Sequence, residues 1–202
     1  MSRGPFNRIV GFVSAWAFDL FMAPLERWKL DRIRRRLIRC AAGNVLEIGA
    51  GTGVNLNYYF ADKIFRITLS DRDDRSVVLV DRARREQPAL VDRLTVETLD
   101  AERLPFADDT FDTVVATLLF CSVDCPPCGF DEIARVLRPG GRYLFLEHVR
   151  PSRRSTARLF DAFNPVWNVV SRGCNLNRDT IGAIRSAGFT IESLRRNGVF
   201  VW

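Results

Sequence analysis

The sequence lacks any uninterrupted apolar run of the roughly 20 residues that a membrane-crossing helix needs. It has no internal repeat and no low-complexity tract, which excludes solenoid and disordered classes. A secretory signal with a cleavage site is also missing, and the five cysteines are an odd number. A reduced, cytoplasmic setting is therefore expected. Only one histidine is present, so a neutral-pH imidazole base can only be His148. The glycine loop Gly49-Ala50-Gly51-Thr52-Gly53 lacks a glycine at position 54, where Val54 stands. That departure disfavours the dinucleotide fingerprint of NAD and FAD enzymes.

What is present suits one compact α/β domain. The 202 residues are 47% hydrophobic and 27% charged, enough to bury a core. Charge is uneven. Residues 1–40 carry nine Lys/Arg against three acids, and this excess equals the +6 of the whole chain. The remainder is neutral, which argues against a nucleic-acid-binding domain and for an anionic surface met by residues 1–40.

Residues 1–40 read as a helical lid and 41–202 as the main domain. Phe6, Ile9, Val10, Val13, Trp16, Ala17, Leu20 and Phe21 follow helical spacing. Pro24 interrupts, and a second helix over Leu25–Cys40 sets Leu30, Ile33 and Leu37 against Arg32, Arg35, Arg36 and Arg39. Such a pair of helices can lie in a membrane interface or pack on the domain as a lid, and the two are compatible.

The rest alternates. Strands are expected at Asn44–Ile48, Phe65–Ser70, Leu94–Leu99, Phe111–Thr117, Arg142–Glu147 and Thr190–Leu194. Helices are expected at Val54–Phe60, Arg75–Arg85, Phe130–Leu137 and Asp179–Ala187. This rhythm implies a mostly parallel sheet covered on both faces, with ligands bound beyond the carboxyl ends of its strands.

Three features fall at the ends of successive strands. The glycine loop follows the first and lets backbone approach a ligand closely. Asp71 ends the second, 18 residues after Gly53, where a carboxylate can accept from ribose hydroxyls. Asp100-Ala101-Glu102 follows the third, where an acid can accept from an adenine amino group and apolar neighbours cover the ring. With Leu137-Arg138-Pro139-Gly140-Gly141, these motifs resemble class I S-adenosylmethionine (SAM)-dependent methyltransferases over about residues 40–195. The resemblance implies a Rossmann-like α/β fold, with a mostly parallel seven-stranded sheet whose last strand is antiparallel. Gly198–Trp202 would be a truncated form of that strand. It implies SAM as cofactor, held by Glu47, Gly49, Gly51, Gly53, Asn55, Asp71, Arg72, Asp100, Ala101, Glu102 and Thr117.

Leu119-Phe120-Cys121-Ser122-Val123, Glu147-His148-Val149, Trp167 and Gly173-Cys174-Asn175-Leu176-x-Arg178-x-Thr180 are similar to a narrower branch. It includes the alkyl-thiol methyltransferases and bacterial phosphatidylethanolamine N-methyltransferases and quinone C-methyltransferases. Ala17-Phe18-Asp19 with Ala23-Pro24-Leu25-Glu26 resembles the bacterial members, which carry Tyr at the place of Phe18. The branch implies an acceptor pocket at Phe18, Asp19, Cys121, His148, Trp167 and Cys174, with Phe160 and Phe163 nearby. The acceptor would be a lipophilic small molecule or phospholipid amine, or a hydrophobic thiol. A SAM-binding, membrane-docked protein without turnover is the reading from another class. Peripheral attachment to an inner membrane face is expected if residues 1–40 dock.

Methyl transfer from a sulfonium needs an aligned, deprotonated nucleophile and a dry site. His148, at the end of the fifth strand, is the candidate base, with a bond to a loop as its structural alternative. Glu147 alternates to the other face and is expected to anchor Arg150 or another basic residue. Cys121, Cys125 and Cys128 spell C-x3-C-x2-C, the iron–sulfur spacing of radical SAM enzymes. Those enzymes place it after the first strand of a barrel, where this chain has the glycine loop. Cys125 and Cys128 instead read as a Pro-stiffened loop, with a redox or metal-binding pair as the alternative. No metal ligand set is expected.

Overall fold

The computed structural model describes residues 30–171, 173–197 and 200–202. The candidate acceptor residues Phe18 and Asp19, and the first lid helix, lie outside these. Helix α1 (Asp31–Ile38) belongs to the expected second lid helix.

Among the described residues, seven strands form one sheet in the order β3-β2-β1-β4-β5-β7-β6. Five of them, β1 (Gly43–Ile48), β2 (Ile64–Asp71), β3 (Leu94–Thr98), β4 (Phe111–Thr117) and β5 (Leu137–His148), are mutually parallel. The two-residue strands β6 (Arg196–Asn197) and β7 (Phe200–Val201) close the β5 edge, with β7 antiparallel to β5. Helices α2 (Ser76–Glu86), α3 (Pro126–Val136), α4 (Arg154–Val170) and α5 (Thr180–Ser186) complete the fold.

Strand alternation divides the core. On β1, Leu46 and Ile48 face one apolar cluster with Phe130 and Ile133 of α3 and Ile181 and Ile184 of α5. Val45 faces the other, with Leu79 and Ala83 of α2 and Ile38 of α1. Both faces of β1 are covered, so Val45–Ile48 is buried throughout, as parallel strands between helices require. Strand order reverses between β1 and β4, which leaves a crevice beyond their carboxyl ends.

Four expected elements differ. Val54–Phe60 is not an α-helix; a 3-10 turn spans Val54–Tyr58 and Tyr59 is already extended. Asn55 and Asn57 favour such local turns over helix. Helix α3 starts at Pro126, four residues early, because proline suits the first turn. Strand β5 begins at Leu137, and the register shift opposite Phe111 and Thr113 absorbs Arg138–Gly141 as a bulge. Thr190–Leu194 forms no strand. Pairing falls instead on Arg196↔Val201 and Asn197↔Phe200, and Leu194 stays exposed.

Candidate active site

The glycine loop leaves β1 in left-handed backbone, with φ of 72° at Gly49, 57° at Gly51 and 76° at Gly53. At Gly49 a side chain would also collide with Leu119, whose Cδ1 lies 2.8 Å from the Cβ position. The β4 exit thus presses directly on the loop. At Gly51 a Cβ would meet nothing within 4 Å, so the loop has an open side where a ligand can reach backbone. Asp71 closes the rim. Its Oδ2 accepts from Gly51 N at 2.8 Å and its Oδ1 from Asp73 N at 3.1 Å. A carboxylate has about four acceptor positions, so capacity remains for hydroxyl donors. Asp100 is exposed and caps Glu102 N, Ala101 is buried, and Glu102 accepts from Cys125 N. Arg72 is exposed and pairs with Asp124. Loop, Asp71 and Asp100 all lie at carboxyl ends of β1, β2 and β3, so these residues fit an adenosine-type group with an acidic ribose contact.

Beneath the loop is a buried polar network. Tyr59 donates to Glu47 Oε2 at 2.6 Å and Asn55 Nδ2 to Glu47 Oε1 at 2.8 Å. Asn55 Nδ2 also reaches Thr117 Oγ1. Arg34 Nη1 donates to Asn55 Oδ1 and to Thr117 Oγ1, each at 2.8 Å. Burial pushes the Glu47 carboxyl up, against the pull of the Tyr59 and Asn55 hydrogen bonds and the Arg34 charge. Both Glu47 oxygens, Asn55 and Thr117 are thus engaged in holding the loop from below. Nothing in the sequence marks Arg34 as buried: its neighbours line the exposed basic face, and only the fold turns it inward.

The second group of residues converges at the ends of β4 and β5. Leu118 leaves β4 with φ of 56°, a strained conformation for a side chain with a Cβ. Glu147, fully buried, accepts from the backbone N–H of Leu119 and Phe120, both at 2.9 Å, and of Cys121 at 3.3 Å. Burial pushes this carboxyl up to about 7, and the backbone hydrogen bonds oppose that rise. The expected Glu147–Arg150 pair does not form. Glu147 points into the core, and exposed Arg150 pairs with Asp161 on α4.

Glu147 so fixes the loop that carries Cys121. The segment carrying Cys174 is tied to the same loop, since Asn175 N and Nδ2 both donate to Cys121 O. His148 ends β5 with its Nδ1 3.5 Å from Cys174 Sγ and its ring against Phe200. Cys121, His148 and Cys174 are all buried, and one ligand atom from each lies within 4.8 Å of the others. In this pair the hydrogen bond from Cys121 lowers the Cys174 thiol and raises its own. Trp167 and Phe160 of α4 pack against the cluster of Cys121, Cys174 and Leu176, and the buried Trp167 Nε1 has no hydrogen-bond partner of normal geometry. The structure thus assembles Cys121, His148, Cys174 and Trp167, while Phe163 is half exposed beside Trp167. Two surface cavities, one lined by Lys63, Phe65 and Arg66 and one by Arg35, Arg39 and Tyr58, contain none of these four. Cys125 and Cys128 are disulfide-bonded to each other at the start of α3.

Comparison with known proteins matches residues 46–145 to the family model described as "Methyltransferase domain". Over 184 residues the chain is 31% identical to thiol S-methyltransferase TMT1B of Homo sapiens, covering 87% of this chain and 75% of that protein. Over 113 residues it is 36% identical to phosphatidylethanolamine N-methyltransferase of Cereibacter sphaeroides, covering 55% and 53%. The crystal structure of an S-adenosylmethionine dependent methyltransferase from Mesorhizobium loti shares the fold, with a TM-score of 0.59, 19% identity and 81% and 82% coverage. With the glycine loop, the acid at the end of β2 and the sheet order in place, the chain belongs to the SAM-dependent methyltransferases of the Rossmann-like fold.

Proposed function

We propose that this enzyme methylates the sulfur of a lipophilic thiol. The observation that carries the reading is the buried Cys121–His148–Cys174 cluster beside the loop whose Leu119 touches Gly49. In this reading Gly49–Gly53 faces the methionine end of SAM, Asp71 holds the ribose, and Asp100 with Ala101 meets the adenine. When bound, SAM supplies an electrophilic methyl group on a sulfonium.

The chain's own residues do the rest. Phe160, Trp167 and Leu176 offer an apolar wall that excludes water and suits an alkyl chain. A thiol attacks as its thiolate, so its proton must leave before methyl transfer. The cluster sets two polarizable sulfurs and an imidazole nitrogen beside that wall. The thiol S-methyltransferase named TMT1B, to which this chain is similar, supports the same acceptor. Purified full-length protein is expected to release S-adenosylhomocysteine with a medium-chain alkyl thiol, and a methyl thioether should appear by mass. Turnover on phosphatidylethanolamine vesicles alone, or on neither acceptor, refutes the thiol assignment.

The exposed face of α4 supports delivery of the acceptor from a lipid surface. Leu159, Phe163, Val166 and Val169 are 66%, 50%, 60% and 80% exposed and recur along one helical face. Exposed Arg153, Arg154 and Arg158 flank them. The inward neighbours Phe160 and Trp167 reach the cluster, so the same helix borders water and acceptor. No helix among the described residues is long and apolar enough to cross a membrane. We place the enzyme peripherally on the cytoplasmic, inner face of a membrane, a reading that the basic composition of residues 1–40 also supports. Co-sedimentation with anionic phospholipid vesicles should fall at least about threefold in Val166→Glu, since a charge in the interface costs about 1–3 kcal/mol. Equal pelleting of variant and parent counts against this surface.

A further inference from the structure

We propose that Cys121, His148 and Cys174 form a zinc site with three protein ligands and an open fourth position that takes the acceptor's sulfur. Two thiolates and one imidazole are a donor set that zinc favours, and three ligands plus an exchangeable position is the arrangement of its catalytic sites. The spacing fits. Sulfur bound to zinc at about 2.3 Å and nitrogen at about 2.0 Å puts tetrahedral ligand atoms roughly 3.5–3.8 Å apart. Here the ligand atoms lie within 4.8 Å of one another, and His148 Nδ1 is already 3.5 Å from Cys174 Sγ. Contraction by about an ångström at one sulfur closes the site.

Three sets of contacts prepare it. Cys121 is set by Glu147, which holds the Leu119–Cys121 N–H groups. His148 is set by β5, its carbonyl accepting from Thr180 Oγ1. Cys174 is set by Asn175, clamped to Cys121 O. Such outer contacts orient metal ligands and tune their affinity. Charge balance also fits burial. Two thiolates neutralise the divalent cation, so the complex suits an apolar pocket where either thiolate alone is costly. The buried Trp167 indole N–H, which already lowers the Cys174 thiol, is placed to donate to that thiolate.

The substrate half rests on the thiol reading above; the metal half does not. A thiol entering the fourth position displaces water and gives its S–H proton to solvent. Its sulfur lone pair then forms the new S–CH3 bond as the sulfonium S–CH3 bond breaks, that electron pair staying on the departing S-adenosylhomocysteine. His148 acts in this arrangement as a ligand and not as a base.

The test is metal analysis of full-length protein purified under reductant without added metal chelator. About one zinc per chain is expected, falling at least tenfold in Cys174→Ser and in His148→Ala. The Cys125→Ser/Cys128→Ser variant should keep its zinc. Circular dichroism and SAM calorimetry establish that the variants fold. Zinc content equal in parent and Cys174→Ser overturns the site, as does zinc absent from parent protein supplied with the ion. Air-purified parent in which only one of Cys40, Cys121 and Cys174 still reacts as a free thiol, again without zinc, also overturns it in favour of a Cys121–Cys174 disulfide. Cobalt replacing zinc should give a thiolate charge-transfer band that shifts on adding an alkyl thiol. A band that forms and does not shift keeps the metal but overturns the open position for the acceptor, so the two halves fail separately.

Discussion

Glu147→Ala is expected to melt about 6–20 °C below the parent. The carboxylate serves three backbone N–H groups of Leu119, Phe120 and Cys121 inside a buried loop. Stranding a buried donor costs about 1–3 kcal/mol, and some of the three will recruit water in the cavity left behind. A net loss of roughly 3–5 kcal/mol follows, and in a domain of this size each kcal/mol moves the melting temperature by about 2–4 °C. Glu147→Gln separates hydrogen bonding from charge. Its carbonyl oxygen can still serve two of the three groups, while its amide meets the third donor with a donor. About a third of the loss is expected. Thermal unfolding followed by circular dichroism measures both, and an Ala variant melting within about 2 °C of the parent refutes the assignment.

Asp71→Ala should weaken SAM binding by about 10- to 150-fold without unfolding the protein. The carboxylate is bonded to Gly51 N at the centre of the glycine loop and keeps acceptor capacity at the rim. Hydrogen bonds to a charged group contribute about 1.5–3 kcal/mol each, and the variant loses both the proposed ribose contact and the tether on the loop. Asp71→Asn keeps one acceptor oxygen and should fall between. Calorimetry with SAM decides: a Kd within threefold of the parent for the Ala variant removes Asp71 from the cofactor site.

The sequence exposed the cofactor half more clearly than the acceptor half, for a physical reason. Glycine loop, Asp71 and Asp100-Ala101 sit at the ends of strands, and a strand end can be read from local alternation and punctuation. Apolar Val45–Ile48 and Phe111–Thr117 announced the central strands because both faces are buried. The edge was less legible. Thr190–Leu194 has strand-like residues, yet pairing depends on where the chain reverses, which is a tertiary matter. Only the family resemblance marks Cys121, His148, Trp167 and Cys174 as acceptor residues, because they lie far apart in sequence. Their mutual contact needed β5, α4 and the Asn175 clamp. Glu147 and Arg34 are not legible in the sequence because each is a charged residue that only its tertiary partners bury.

The Arg34 side chain gives α1 a hold on the interior that its apolar contacts alone would not. Asn55 and Thr117 keep their full complement of partners only while α1 is seated, because Arg34 donates to both. Lifting that helix would strip donors from the groups under the glycine loop, and loosening the loop would take two acceptors from the guanidinium. The two segments, 21 residues apart in sequence at their point of contact, therefore open as one cooperative unit. By reciprocity, whatever ligand steadies the loop also tightens α1 against the sheet, and a pull on α1 is felt where the cofactor binds.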